Sequence, residues 1–334
     1  MQISGFGLTL ESVIRAYGED AGALAQAASH HFSAPGKRTR SQLLFATSVE
    51  PKNHELLIHA AAAVELIHEA SIVHDDIQDG TEVRRGQPSV WKKFGANTAL
   101  LLGDHFVSAA FRTIAEVSVE PATHAKLIII LSHAISRAAS GQHLQLSSTT
   151  QHGDLSKIYK EVAVSKTGAF IALPLQFSNL IGHADVLDSE PARLCGEQLG
   201  LAYQILDDLR PFAAPSTLAS DEDMVNRVIT APVAAMNLIV PGEDPFAALI
   251  KHSKKRQSAL DLCQQWHAQA VHKANEYALE LPSHTSTVIN AFIEERLRIE
   301  TTITPPVNTG KNELQRRNIY RQWRNYEQTS SEVI

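Results

Sequence analysis

The stretch His74-Asp75-Asp76-Ile77-Gln78-Asp79 puts three carboxylates close together and is soon followed by Arg84-Arg85-Gly86. Upstream, Ala60 to Ala70 is built from strong helix formers, with no breaker before Gly80, so the aspartates are expected on the last turn of a long helix. Asp75 and Asp79 then share one face, about 6 Å apart along the axis. Acids at a helix C-terminus meet the negative end of the dipole and repel one another, so the arrangement calls for a cation. Oxygen ligands suit a hard divalent ion, and Mg²⁺ binds through one or two carboxylates plus substrate phosphates. Guanidinium is the favoured partner of diphosphate oxygens. Acids for a metal followed by arginines for phosphate predict a diphosphate site.

The elements that must position these groups read as helices. Few segments alternate with period two, and long stretches repeat apolar residues at three and four, which predicts an all-α protein. Helices are expected over Thr9–His31, from Leu43, over Phe94–Phe111, over Ile128–Gln145, and from Asp154 to an end at Lys166-Thr167-Gly168. Further helices are expected up to Asp207-Asp208 and over Phe246–His252, Lys254–Leu279 and Thr285–Ile303. Gly103 within an apolar helix marks close packing, and Asp104 reads as a structural hydrogen-bonding acid. Gln142 and Gln145 read as polar core. Ahead of Leu43, Lys37-Arg38-Thr39-Arg40 places basic residues against the positive end of a helix dipole, a conflict that a shared phosphate would resolve. The Pro305-Pro306 break divides a main domain, 1–304, from a C-terminal extension, 305–334, in which Glu313–Tyr326 is a helix candidate.

Composition narrows the classes. The chain has 334 residues, 44% of them hydrophobic, enough for a sizeable core, and a net charge of -6 without a clustered basic face, which argues against nucleic acid as the main partner. Cys195 and Cys263 have no paired spacing and read as buried thiols. No apolar run approaches membrane-spanning length, Leu127–Leu131 being bounded by Lys126, Ser132 and His133, and the N-terminus shows no secretory pattern, so the cytoplasm is expected.

Glu65-Leu66-Ile67-His68-Glu69-Ala70-Ser71-Ile72-Val73-His74 and Arg84-Arg85-Gly86-Gln87-Pro88, flanking the aspartates, resemble the first aspartate-rich region of the trans-isoprenyl diphosphate synthases, the polyprenyl synthetase family. That resemblance implies a single large helical bundle of the isoprenoid synthase type with a central cavity, as a homodimer. It implies a Mg²⁺-dependent prenyltransferase joining isopentenyl diphosphate to an allylic diphosphate. Gly36-Lys37-Arg38-Thr39-Arg40 matches the family's Gly-Lys-x-x-Arg motif, so Lys37 and Arg40, with His68 and Arg85, are expected on isopentenyl diphosphate. Arg84 and Lys166 are expected on the allylic diphosphate, and Thr167 and Gln204 beside the developing cation. Asp75, Asp79 and Asp207 are the implied metal ligands, on two helix ends facing each other, with Asp76 behind them. Small residues at Ala70 and Ser71 imply a product longer than C15, unless Phe106 or Phe111 closes the tunnel.

The second acidic region departs from the family. Asp207-Asp208-Leu209-Arg210-Pro211 ends in proline where the last acid belongs, and with Thr230 and Pro232 in register Val228 stands where a lysine is usual. Arg210 and Arg227 are the candidate replacements. This damage leaves open a class I terpene synthase, which uses the same ionisation without elongation, and a non-catalytic subunit. The intact Lys37, Arg40, His68 and Arg85 set speaks against a cyclase, which needs no second diphosphate.

Overall fold

The structure, a computed structural model, describes residues 9–299 apart from 35, 49–52, 149–152, 183–188, 214–217 and 220. The described residues fall into two compact helical units, one within Met1–Ser132 and Leu173–Ser189, the other within His133–Ala172 and Glu190–Gly310. The expected boundary at 304 and the candidate helix beyond it lie outside the described residues.

The first unit opens with α1 (Leu10–Gly18), α2 (Ala25–Phe32), α3 (Thr39–Thr47) and α4 (His54–Gln78). A two-stranded antiparallel hairpin, β1 (Val83–Arg84) and β2 (Gln87–Pro88), follows, then α5 (Val90–Phe94) and α6 (Ala96–Ala115). The organising element is α4, 25 residues long and capped by the Asn53 side chain, which accepts from the Leu56 amide at 2.9 Å. Ala60, Ala61, Ala62 and Ala63 are fully buried, and these small side chains let α6, α1 and α3 lie close against the helix. Leu66, also fully buried, is a residue whose truncation to Ala costs about 2–5 kcal/mol.

Helix α7 (Pro121–Ser147) leads into the second unit, which holds α8 (Leu155–Ala163), a π-helical turn over Val164–Gly168 and the start of α9 (Ala169–Gly182). The chain continues through α10 (Glu190–Leu209), a 3₁₀ turn (Arg210–Ala213), α11 (Glu222–Val225), α12 (Ala231–Ile239), α13 (Pro245–Lys251), α14 (Ser253–Ala278) and α15 (Ser283–Arg296). Helix α10 packs on α14 and on the π turn, where backbones touch: a Cβ on Gly196 would lie 2.2 Å from Cα of Ala172, and one on Gly200 2.3 Å from Cα of Gly168.

The all-α expectation holds, with corrections at breaks. Thr9–His31 is interrupted around Gly22, whose φ of 53° is left-handed, and Phe94–Phe111 is divided at Gly95, φ 89°. The helix expected from Leu43 begins at Thr39, so Arg40 lies in its first turn. The one from Asp154 does not end at Gly168 but passes through the π turn into α9. The one expected over Thr285–Ile303 runs from Ser283 to Arg296. His54–Gln78 is long and apolar enough to cross a membrane, contrary to the expectation that no run is, but 83% of its most apolar window is buried within the protein.

Candidate active site

In the first unit the acids ride where expected. Asp75 and Asp76 occupy the last turn of α4, and Asp79 is its C-cap, donating its amide to the Asp75 carbonyl at 2.8 Å. Asp75 and Asp79 are half-buried. Asp76 is buried and takes Arg84 Nε on Oδ1 at 2.8 Å and Nη2 at 2.5 Å. Burial raises the Asp76 carboxyl above its ordinary range, against the opposing pull of Arg84. The guanidinium expected on the allylic diphosphate is thus engaged by an acid of the same motif.

The hairpin sets the direction of both arginines. Arg85 and Gly86, with φ of 52° and 79°, form its tight turn between Arg84 and Gln87. Arg85 Nη1 donates to the Ala34 carbonyl at 2.9 Å, which brings the hairpin onto the loop that carries Lys37. Arg40 and Arg85 also surround His68: burial first, then the charge of Arg40, with Arg85 adding to it, push the imidazole well below its usual range. His68 Nδ1 is buried with no hydrogen-bond partner among the described residues. So Arg40, His68 and Arg85, drawn from a loop-proximal helix turn, α4 and the hairpin, meet in one place. A neutral imidazole among guanidinium groups offers a nitrogen to a phosphate-bearing ligand without adding to the repulsion.

Sequence reasoning missed the acids beneath this cluster. Glu69 is fully buried and accepts from Arg38 Nη1 at 2.6 Å, His31 Nε2 at 2.7 Å and Arg85 Nη2 at 3.1 Å. Glu65, also buried, accepts the Ser41 amide at 2.8 Å, inside the first turn of α3. The signal was available: two acids four apart among Leu66, Ile67 and Ala70, on a helix too apolar to leave them in water.

In the second unit the π turn presents Lys166 and Thr167. Lys166 Nζ donates to Gln145 Oε1 at 3.2 Å, and Thr167 Oγ1 to Gln204 Oε1 at 2.8 Å. Gln204 Nε2 donates to Asp208 Oδ1 at 2.8 Å, and Asp208 Oδ2 accepts the Ala231 amide at 2.8 Å. Asp208 is buried, and burial pushes its carboxyl up to about 7 despite these donors. Asp207, by contrast, is half-exposed and ion-paired with Arg210.

The candidate replacements for the missing lysine divide. Arg210 lies on the acid itself. Arg227 does not compensate: its guanidinium is held by Asp244 at 2.8 Å and lies 4.4 Å from the Phe246 ring centroid, on the exposed surface. Asp104 is corrected too. It is 65% exposed and 3.6 Å from His74 Nε2, beyond hydrogen-bond length, so it braces nothing in the core. Gly103 does mark close packing, because a Cβ there would lie 2.1 Å from His74 Nε2. Phe106 is committed to the core, its ring 5.1 Å from that of Phe32.

Comparison with known proteins places this architecture. The family model described as polyprenyl synthetase matches residues 22–265, a span that takes in the aspartates, both arginine-bearing loops, the π turn and the Asp207-Asp208 pair. The chain belongs to the polyprenyl synthetase family. Within that family it is similar to a geranylgeranyl diphosphate synthase of Methanosarcina mazei, 32% identical over 193 residues, which is 58% of this chain and 60% of that protein. A nonaprenyl diphosphate synthase of Mycobacterium tuberculosis is 30% identical over 182 residues, 54% of this chain and 52% of that one. The chain thus matches under two thirds of these polyprenyl synthetases' own length. Among solved structures, a geranylgeranyl pyrophosphate synthetase from Pyrococcus horikoshii superposes with a TM-score of 0.75 at 26% identity, covering 87% of this chain and 95% of that one.

Proposed function

We propose that this chain is a trans-prenyltransferase that condenses isopentenyl diphosphate with an allylic diphosphate. The observation that carries the reading is the meeting of Arg40, His68 and Arg85 beside the Lys37 loop, separate in the sequence from the aspartates at the end of α4. Membership of the polyprenyl synthetase family and the names of the relatives support it. Lys37, Arg40, His68 and Arg85 bind the diphosphate of isopentenyl diphosphate, and Arg84 and Lys166 that of the allylic partner. Thr167 and Gln204 turn their oxygen dipoles toward the allylic cation.

Asp75 and Asp79 fit Mg²⁺ by donor chemistry, offering oxygen alone and half-exposed, and Asp207 is assigned the same role. Among the described residues no three or more His, Cys, Asp or Glu side chains are grouped to hold a metal ion, so these acids would need phosphate and water oxygens to complete its sphere. Bound there, Mg²⁺ would neutralise charge on the departing diphosphate. Asp76, tied to Arg84, holds that guanidinium in reach of the same group.

The small side chains of Ser71, one turn behind Asp75, and of Ala70 beside it support a product longer than C15, and the reading gives a homodimer in the cytoplasm. A second reading, a class I terpene synthase-like enzyme or a non-catalytic subunit, is favoured by Val228 and by the capture of Arg227 at Asp244. Incubation with Mg²⁺, labelled isopentenyl diphosphate and C5, C10 or C15 allylic diphosphates separates them. Elongated diphosphates are expected. Hydrocarbons or alcohols would establish the cyclase, and no product the silent subunit.

A further inference from the structure

We infer that Glu69 is the positioning residue of the isopentenyl diphosphate site, acting through Arg38 and Arg85; the inference rests on the transferase reading above. Both Glu69 oxygens accept from guanidinium groups, and one of them also meets an imidazole nitrogen. Oε1 takes Arg38 Nη1 at 2.6 Å and Arg85 Nη2 at 3.2 Å, and Oε2 takes His31 Nε2 at 2.7 Å and Arg85 Nη2 at 3.1 Å. The carboxylate has no exposed surface.

The backbone carries the second part of the argument. Among the described residues the non-glycine positions with positive φ are Arg38, Arg85 and Arg227, and the first two, each at 52°, are both Glu69 partners. A left-handed arginine is strained, and it persists where the surroundings over-determine it. One buried carboxylate therefore fixes two strained residues on separate segments. Arg38 follows Lys37 directly and precedes Arg40 by two residues, Arg85 is itself a proposed ligand, and His68 is the neighbour of Glu69 on α4.

The segments are also in register with each other. Arg85 Nη1 reaches the Ala34 carbonyl at 2.9 Å, and a Cβ on Gly36 would lie 2.8 Å from Arg85 Nη2, so the guanidinium rests against the loop backbone. Arg38 adds a bidentate contact to Glu11, at 2.6 and 3.2 Å. Without the Glu69 charge the guanidinium groups of Arg38 and Arg85 repel across the site, and the diphosphate must order loop and hairpin as it binds. With it, the donors are in place before the substrate arrives.

The test is pyrophosphate binding by calorimetry in EDTA, where no divalent ion can recruit the aspartates, alongside steady-state kinetics with Mg²⁺ on wild type, Glu69→Gln and Glu69→Asp. The glutamine amide would set donor against donor, so its pyrophosphate Kd and its KM for isopentenyl diphosphate should rise about tenfold or more. The allylic KM should stay within about twofold, and Glu69→Asp should fall between the two. A folded Glu69→Gln with unchanged pyrophosphate Kd overturns the inference, as does a parallel rise of both KM values or a wild type that binds no pyrophosphate. Should neither variant fold, His31→Gln removes one partner and must weaken pyrophosphate binding by a smaller factor; an unchanged Kd overturns it equally. A wild type that binds pyrophosphate through Glu69 yet elongates nothing would sink the transferase reading and leave the role of Glu69 standing.

Discussion

Thr167 Oγ1 donates to Oε1 of Gln204 at 2.8 Å, which fixes the rotamer of an amide whose nitrogen is already committed to Asp208 at 2.8 Å. The Gln204 oxygen therefore points to the π turn and its nitrogen away from it. Thr167→Val removes the donor and frees the amide to turn. Turnover should fall about tenfold while stability falls by about 1 kcal/mol, as for one lost hydrogen bond. Steady-state rates beside a thermal melt decide it, and an unchanged kcat would remove Thr167 from the site.

Asp75→Ala should abolish product formation and leave the circular dichroism spectrum and melting temperature nearly unchanged. The change removes a metal ligand and relieves repulsion at the negative end of α4. A variant that still elongates would refute the metal assignment.

The pH dependence of stability has a defined sign at Glu69. Burial alone would raise its carboxyl, but the His31 hydrogen bond and the charges of His31, Arg85 and Arg38 hold it well below the ordinary 4.5. A depressed folded-state pKa contributes stability that is complete above the unfolded value and is lost as pH falls below it. Melting temperatures of wild type and Glu69→Gln should therefore converge below about pH 4.5 and stay apart at neutral pH. A gap that persists undiminished into acid would contradict the assignment.

Gly200→Ala should destabilise by about 1–3 kcal/mol, because overpacking a backbone contact forces the elements apart. Its Cβ would meet Gly168 Cα at 2.3 Å and the Thr167 carbonyl carbon at 3.0 Å, so the shift lands on a proposed catalytic residue. Activity measured well below the melting temperature should fall as well. Loss of stability with full activity would mean that the π turn tolerates displacement.

Arg227→Ala should leave turnover unchanged, since the side chain is held at Asp244 and Phe246 on the surface. Its exposed ion pair should cost less than about 1 kcal/mol in a denaturant titration. A marked drop in kcat would show that Arg227 leaves Asp244 when substrate binds.

The helical class, the acids at the end of α4 and the Lys166-Thr167-Gly168 motif were legible because each is a local pattern: apolar spacing, a helix without breakers, a motif. What could not be read was partnership across the chain. Nothing local ties His31 or Arg38 to Glu69, which are brought together by the packing of separate segments. The hairpin escaped notice because its strands are two residues each, below any period-two signal, and its turn uses Arg85 at a left-handed position where asparagine or glycine is usual. The π turn escaped for the opposite reason, because Val164–Gly168 has a composition that an ordinary helix would accept.

That turn makes the phase of α9 depend on a single residue. Wound as an ordinary helix with the same number of residues, Val164–Gly168 would instead rotate everything downstream by about 100° about the axis. Phe170, Leu173 and Phe177, now buried, would then sweep off the face they occupy. A lone codon deletion at this point could therefore close the ladder with that hydrophobic stripe still on its face, whereas the same deletion in the regular part of the helix would turn it away.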